Sequence, residues 1–163
     1  MPEPVPDVLD TERLRMPLWT AEDVAAIRAG ARRPRWHPEF PREDDVDAAS
    51  LWRDGDPWSS RSIARADVVV GSIGFFGPPE PAADGTPEVE VGYGLVEDAR
   101  GLGYATEALA AVVAAAEAAG ARVRASVLPD NDASIRVLAK CGFTELRGSS
   151  EDGELVLARP LRR

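Results

Sequence analysis

A mixed α+β fold, with a mostly antiparallel twisted sheet of about seven strands flanked by about four helices, is what the sequence predicts. Three observations carry that expectation. Short alternating apolar segments, broken by turn residues, fill the front half of the chain. A tight glycine loop, Arg100 to Gly103, leads from a strand into a long alanine-rich helix. Behind it come a strand, a shorter helix and two final strands, so a single strand–helix–strand crossover follows an antiparallel meander.

The elements follow in order. The proline-rich head within residues 1–7 is expected to be disordered. Thr11 to Trp19 alternates Leu14, Met16 and Leu18 with Arg13, Arg15 and Pro17, a strand ending near the proline. Thr20 precedes Glu22 and Asp23 and an apolar pattern at Val24 and Ile27, an N-cap opening a short helix that stops near Gly30. Arg32 to Pro41 is a loop rich in proline and aromatic residues, and Asp44 to Trp52 a second helix. Strands are expected over Ser59 to Arg65, Val68 to Phe76 and Glu88 to Val96, with a turn at Ala66-Asp67 and a loop over Gly77 to Pro87. On the third of these, Glu88, Glu90 and Gly92 face one way, and Val89, Val91 and Tyr93 the other. The long helix runs from Tyr104 to Ala119 and stops at Gly120. A strand over Val123 to Leu128, a helix from Asn131 to Cys141, and strands at Phe143 to Gly148 and Leu155 to Leu161 complete the chain, with Asp152-Gly153 as the last hairpin turn.

At 163 residues the chain is the size of one domain, 1–163, with a single core. Its net charge of −9 argues against a nucleic-acid partner, which needs a basic face to displace counterions. An acidic surface instead suits a cationic partner, or simply solubility. Cys141 is the only cysteine, so no intramolecular disulfide and no cysteine-rich metal site is expected. His37 is the only histidine, which leaves a multi-histidine zinc site unsupported, so no metal is expected. The N-terminus lacks the basic and apolar regions of a signal peptide, and no apolar stretch is long enough for a bilayer. A cytoplasmic location without membrane association is the resulting expectation.

The loop Arg100-Gly101-Leu102-Gly103-Tyr104-Ala105-Thr106 lies between a strand end and a helix start. Small residues there let backbone approach a ligand, and the free N–H groups of a helix's first turn favour a phosphate. Diphosphate binding with Arg100 as a flanking charge is one reading. A plain turn capping a helix carries equal weight on the loop alone. A dinucleotide fingerprint matches only in its first half, since Thr106 replaces the third glycine and the next strand ends without a ribose-binding acid.

The longer stretch Val91 to Leu109 resembles the acetyl-CoA motif of GNAT-superfamily N-acetyltransferases, Arg/Gln-x-x-Gly-x-Gly/Ala, met here by Arg100, Gly103 and Ala105. The block from Asn131 to Phe143 is similar to the Asn-x-x-Ser…Gly-Phe helix of the family's RimJ/RimL-type branch. Thr11 to Leu18 with Glu22-Asp23 resembles that branch's opening strand and helix. The resemblance implies acetyl-CoA as acyl donor, an amine acceptor (a protein N-terminus or a small-molecule amine), and direct attack in a ternary complex. It also implies a sheet splayed at the CoA site and a homodimer.

By the same resemblance, main-chain groups of Leu95 and Val96 would pair with pantetheine, and a bulge near Gly92-Tyr93-Gly94 would expose an N–H to the thioester oxygen. Residues Arg100, Gly101, Leu102, Gly103, Tyr104, Ala105 and Thr106 would grip the diphosphate, and Asn131 would bind the pantetheine arm. An alkylamine arrives protonated and needs a proton acceptor. Glu90 is the first candidate and Glu88, on the same face, the second; both also read as solvated carboxylates. Many family members carry a tyrosine one turn before the Gly-Phe pair, where this chain has Leu138. Ser134 faces the sulfur by resemblance, either stabilising the thiolate or satisfying its own helix. Tyr93 ranks lower because its strand parity opposes that of Glu90. Trp36 and Phe40 are candidates for lining the amine pocket, with loop anchoring as the alternative. Cys141 reads as packing. A CoA-binding sensor or scaffold without transferase activity is the competing function.

Overall fold

The computed structural model describes residues 2–161. Nine strands form one sheet in the order β1-β2-β3-β4-β6-β7-β9-β8, with the short β5 paired to β6 off that path. The strands are β1 (Val8–Asp10), β2 (Leu14–Pro17), β3 (Arg61–Arg65), β4 (Val68–Phe75), β5 (Glu80–Pro81), β6 (Pro87–Leu95), β7 (Arg122–Val127), β8 (Glu145–Ser149) and β9 (Leu155–Ala158). The helices are α1 (Ala21–Ala29), α2 (Glu43–Ala49), α3 (Tyr104–Ala118) and α4 (Asp132–Lys140). Every strand pair is antiparallel except β6–β7, which the α3 crossover makes parallel.

The expected architecture holds, with two short strands added. β1 pairs with β2 across the turn at Thr11, and β5 forms inside the loop over 77–87. Thr20 caps α1 as expected: its side chain accepts from the Asp23 N–H at 3.1 Å, Asp23 accepts from the Thr20 N–H at 2.9 Å, and Gly30 closes the helix at φ +67°. α2 is shorter than expected. The Ser50 hydroxyl donates to the Asp47 carbonyl at 2.6 Å, and the chain leaves the helix before Trp52.

The head expected to be disordered is instead fastened down. The Glu3 N–H donates to the Ala118 carbonyl at 2.8 Å, and Val5 is buried. Arg61, buried on β3, donates to the carbonyls of Pro6 (2.6 Å), Asp7, Met16 and Pro57. Burial pulls its pKa down to about 10, with Asp7 opposing, so the guanidinium stays charged at neutral pH.

The core lies between sheet and helices. Val89, Val91 and Val123 from β6 and β7 meet Leu109, Val112 and Ala116 of α3, all nearly inaccessible to solvent. Each of these valine and leucine side chains contributes about 1.5–3 kcal/mol by leaving water. α2 is tied to β4 from inside: Asp45, wholly buried, accepts from the Ser72 hydroxyl and from Arg42.

Candidate active site

The glycine loop opens a cleft at the start of α3. Gly101 and Gly103 adopt φ +74° and +83°, conformations that other residues rarely tolerate. Gly103 is the N-cap of α3 and offers no capping side chain, so first-turn N–H groups of the helix open onto the cleft. That cleft, of about 490 Å³, is lined by Arg100, Gly101, Gly103, Tyr104, Ala105 and Thr106, with Arg136 and Lys140 from α4 on its far wall. A chain of net charge −9 thus concentrates cations at one helix start. Leu102 is half exposed and does not line the cleft.

Two residues that sequence reading did not single out support this loop from behind. Arg13 donates to the Leu102 carbonyl at 3.0 Å, pairs with Glu107 at 2.7 Å, and stacks on the Tyr104 ring at 4.3 Å. Glu107 also accepts from the Thr11 hydroxyl and the Arg13 N–H. Burial pushes the Glu107 carboxyl up, but the Thr11 and Arg13 hydrogen bonds outweigh it and hold it below the usual range.

Beside the loop, the parallel strand pair opens. β6 and β7 are in register only from Glu88–Arg122 to Glu90–Arg124. Beyond that point β6 continues on β4 to Leu95, and β7 continues on β9 to Val127. The hydrogen bonds from Phe76 N–H to the Glu90 carbonyl and from Val96 N–H to the Val70 carbonyl fix the alternation along β6. Residues 90, 92, 94 and 96 therefore turn their main chain to β4, and the odd residues turn theirs to β7; Val91 closes the ladder at Arg124, and Tyr93 and Leu95 face the gap. A ligand's amide groups can complete that edge as a further strand would.

This parity corrects two main-chain expectations. Val96 has its N–H on Val70 at 2.8 Å and its carbonyl on the Ala99 N–H at 3.1 Å, so neither group serves the gap. The Leu95 carbonyl accepts from Arg100 Nε at 3.0 Å, so only its N–H faces the opening. That bond also positions Arg100 at the cleft. The expected bulge at Gly92-Tyr93-Gly94 is absent, because β6 keeps an unbroken register against β4 from Val91 to Leu95. The two glycines serve a different need. A Cβ on Gly94 would lie 2.3 Å from Arg42 Nη1, and one on Gly92 2.8 Å from the Phe76 ring.

The two candidate carboxylates of β6 separate sharply. Glu88 has a side chain only 3% exposed and accepts from Arg122, Arg124 and Arg147. Burial pushes its carboxyl up, but the Arg122 and Arg124 hydrogen bonds and the Arg147 charge outweigh it, and it titrates below the usual range. Asp84 completes the cluster on Arg122 at 2.7 Å. Glu88 is therefore a structural anion and touches no acceptor groove. Glu90 lies at the gap, with one oxygen accepting from Arg124 Nε at 3.1 Å.

Opposite Glu90, the Tyr93 and Ser134 hydroxyls are 2.8 Å apart. Burial raises the Tyr93 pKa, while the Ser134 hydrogen bond partly offsets it. The parity that ranked Tyr93 low is what brings it to α4. Asn131 caps α4, its Oδ1 accepting from the Ser134 N–H at 3.1 Å, which leaves its amide nitrogen facing the cleft.

A groove of about 390 Å³ runs between α2 and the sheet, lined by Asp44, Asp47, Phe76, Tyr93 and Glu154 among others. Arg42 and Asp44 border both this groove and the cleft at the glycine loop. Glu154, from the β8–β9 hairpin, also borders the gap, a cavity of about 260 Å³. Its carboxylate has no ion pair among the described residues.

Trp36 and Phe40 line none of these spaces. Phe40 is wholly buried and packs edge-on against Trp36 with ring centroids 5.2 Å apart. Arg32 donates to the carbonyls of Trp36, His37, Pro38 and Phe40, which folds the loop onto the sheet. They anchor the loop and do not form an amine pocket. His37 accepts the Glu39 N–H on Nδ1, so Nε2 carries the proton donated to Asp98 at 2.8 Å. Cys141 is buried, its thiol pushed up by burial, and packs against the Thr106 carbonyl.

The sequence matches the model of the acetyltransferase (GNAT) domain over residues 13–144. No curated protein matches it significantly. Among solved structures it is similar to an acetyltransferase from Agrobacterium tumefaciens, at 24% identity and a TM-score of 0.66, over 98% of this chain and 97% of that one. It is also similar to Mycobacterium smegmatis RimJ in complex with CoA-disulfide, at 23% identity and a TM-score of 0.67, over 94% and 87%. A third likeness is to the ribosomal-protein-S5-alanine acetyltransferase of Vibrio fischeri, at 16% identity and a TM-score of 0.62, over 93% and 94%. At these identities the likeness is one of fold. The domain match is of a different kind: over residues 13–144 it takes in the glycine turn, the opened strand pair and both bordering helices, and on that ground the chain belongs to the GNAT family of acetyltransferases.

Proposed function

We propose that this protein moves an acetyl group from acetyl-CoA to a primary amine by direct attack in a ternary complex. One observation carries the reading: the phosphate cleft, the strand gap and the acidic groove converge, so donor and acceptor entering from opposite sides meet beside Tyr93. The first-turn N–H groups of α3 and Arg100 hold the diphosphate. The N–H groups of Tyr93 and Leu95, past the last paired residues, hold the pantetheine arm and the thioester oxygen, a fixed donor set of the kind that stabilises a developing oxyanion. Asn131 adds its amide nitrogen.

Two carboxylates reach the meeting point. Glu90 has one oxygen committed to Arg124, whereas Glu154 has neither oxygen paired among the described residues and faces groove and gap alike. We infer that Glu154 takes the amine's proton, directly or through water, and that Glu90 is a second route through water. Asp44, Asp47 and Glu154 give the groove a negative wall suited to a protonated amine before it is deprotonated. The resemblance of Asn131 to Phe143 to the RimJ/RimL-type branch leads us to favour a protein or peptide N-terminus as acceptor over a small-molecule amine.

The test is release of thiol from acetyl-CoA with a panel of N-terminal peptides and small amines. Turnover with peptides of free N-terminus, weakened by added salt, is the expected result. Saturable CoA binding without turnover on any amine would replace catalysis with a sensor or scaffold role.

A further inference from the structure

Among the described residues six large apolar side chains are left exposed. Val46, Leu102 and Leu146 border neither cleft, gap nor groove, and Leu128 borders the gap. Leu51 and Phe76 share the groove, Leu51 from the α2 side and Phe76 from the sheet. A single exposed apolar side chain is ordinary, but two in one concavity mark a place for an apolar group. Phe76 is held there: a Cβ on Gly92 would come within 2.8 Å of its ring, so the ring lies against β6 while about half of the side chain stays open to water.

The groove also changes character along its length. Asp44, Asp47, Ala48 and Leu51 stand at i, i+3, i+4 and i+7, one face of α2. The face continues through the turn in which the Leu51 N–H donates to the Ala48 carbonyl at 3.1 Å. The acids come first and the apolar residues last. Asp44 is at the end shared with the cleft at the glycine loop, and Leu51 follows about 10 Å along the axis. On the sheet side Ser59, Ser60 and Gly74 are small, so the space of about 390 Å³ is left to a ligand.

We propose that the acceptor is a peptide whose first residue carries a large apolar side chain, such as leucine, methionine or phenylalanine, packed between Leu51 and Phe76. The proposal rests on the acetyl-transfer reading and names the acceptor that the groove selects. Asp44, Asp47 and Glu154 draw the ammonium, and the side chain on the neighbouring carbon runs toward Leu51. A small first side chain leaves Leu51 and Phe76 in water and gains only the attraction of charge. An amino sugar, polar on every face, brings hydroxyls against carbon. The two contributions answer differently to conditions. Charge attraction is screened over about 10 Å at 0.1 M salt, and apolar packing is not. Packing is made equally by bound substrate and transition state, so the preference resides in KM more than in kcat.

The test uses the whole protein, acetyl-CoA and peptides identical except for a first residue of leucine, phenylalanine, alanine or serine, with thiol release giving kcat and KM for each. Leucine and phenylalanine peptides should exceed the alanine peptide in kcat/KM by about 10- to 100-fold, chiefly through KM. That ratio should hold as salt is raised, while every kcat/KM falls. Leu51→Asn and Phe76→Ala should each shrink the ratio at least about fivefold, with circular dichroism checking the fold. Leu146→Asn, on a side chain equally open but far from the groove lining, should leave the ratio as it is. A wild type that acetylates alanine or serine peptides within about threefold of the leucine peptide overturns the proposal and leaves acetyl transfer standing. So does a preference that Leu51→Asn leaves untouched, an outcome that decides the matter even if Phe76→Ala does not fold. A wild type that binds CoA and acetylates no amine sinks the underlying reading, and the acceptor assignment with it.

Discussion

The two ends of the β6–β7 strand pair share a direction and differ in what lies between them. At the start, Glu88 is closed in by Arg122, Arg124 and Arg147, with Asp84 behind, and the strands are in register. Past Glu90 and Arg124 the pairing stops, and the space is left to Tyr93, Ser134 and unpaired main chain of β6. The contrast teaches how one pair both holds and opens. Buried charge fixes the strands at one end, which lets the other end stay apart without the sheet coming undone. Charges confined at the closed end are costly to disturb; polar groups at the open end are exposed enough to be exchanged for a ligand.

Breaking the closed end should have the largest effect. Glu88→Ala removes the anion shared by Arg122, Arg124 and Arg147, leaving each only its outer carboxylate (Asp84, Glu90 and Glu145), and should destabilise the fold by about 3 kcal/mol, measured as a lower urea midpoint. The pH dependence has a definite sign. Glu88 titrates lower folded than unfolded, so its stabilisation is complete above the unfolded value of about 4.3 and is lost as pH falls through the folded value. Glu88→Gln should flatten that part of the acid limb of the stability curve; an unchanged acid limb would show that the cluster does not fasten the strands.

Smaller in free energy, and confined to the open end, is the difference between the two carboxylates there. Glu154→Gln should reduce kcat/KM at neutral pH by about 100-fold with partial recovery at high pH, and Glu90→Gln by less. The reverse order would return the proton to Glu90. Smallest is the support behind the glycine loop. Thr11→Val removes one hydrogen bond to Glu107 and should cost about 1 kcal/mol, seen as a lower melting temperature with a modest rise in the acetyl-CoA KM. No change in either would detach the first hairpin from the phosphate site.

Local chemistry was legible in the sequence, and long-range pairing was not. Thr20 and Gly30 announced both ends of α1 because a cap depends on residues within one turn. The glycines at 101 and 103 likewise announced the turn before α3. On sequence grounds Glu90 ranks only just ahead of Glu88, because the two share a strand face. What distinguishes them is the arginines of β7, 34 residues on, and Arg147 of β8, 59 residues on. Glu154 gave no signal, since only the β8–β9 hairpin brings it to the groove. Phe40 and Trp36 illustrate the same limit: an aromatic loop reads alike whether it lines a pocket or anchors to a sheet, and four hydrogen bonds from Arg32 decide for the anchor.

Thr11 and Arg13 meet Glu107 across more than ninety positions of chain. Closing so long a loop is slow, since chain entropy must be overcome before the contact returns anything. The crossover of β6, α3 and β7 can assemble from near neighbours, yet its helix start stays without rear support until the opening hairpin docks. Competence to hold coenzyme A should therefore trail secondary structure during refolding. A stopped-flow record of ligand capture should lag the far-ultraviolet signal, and Thr11→Val should widen the interval.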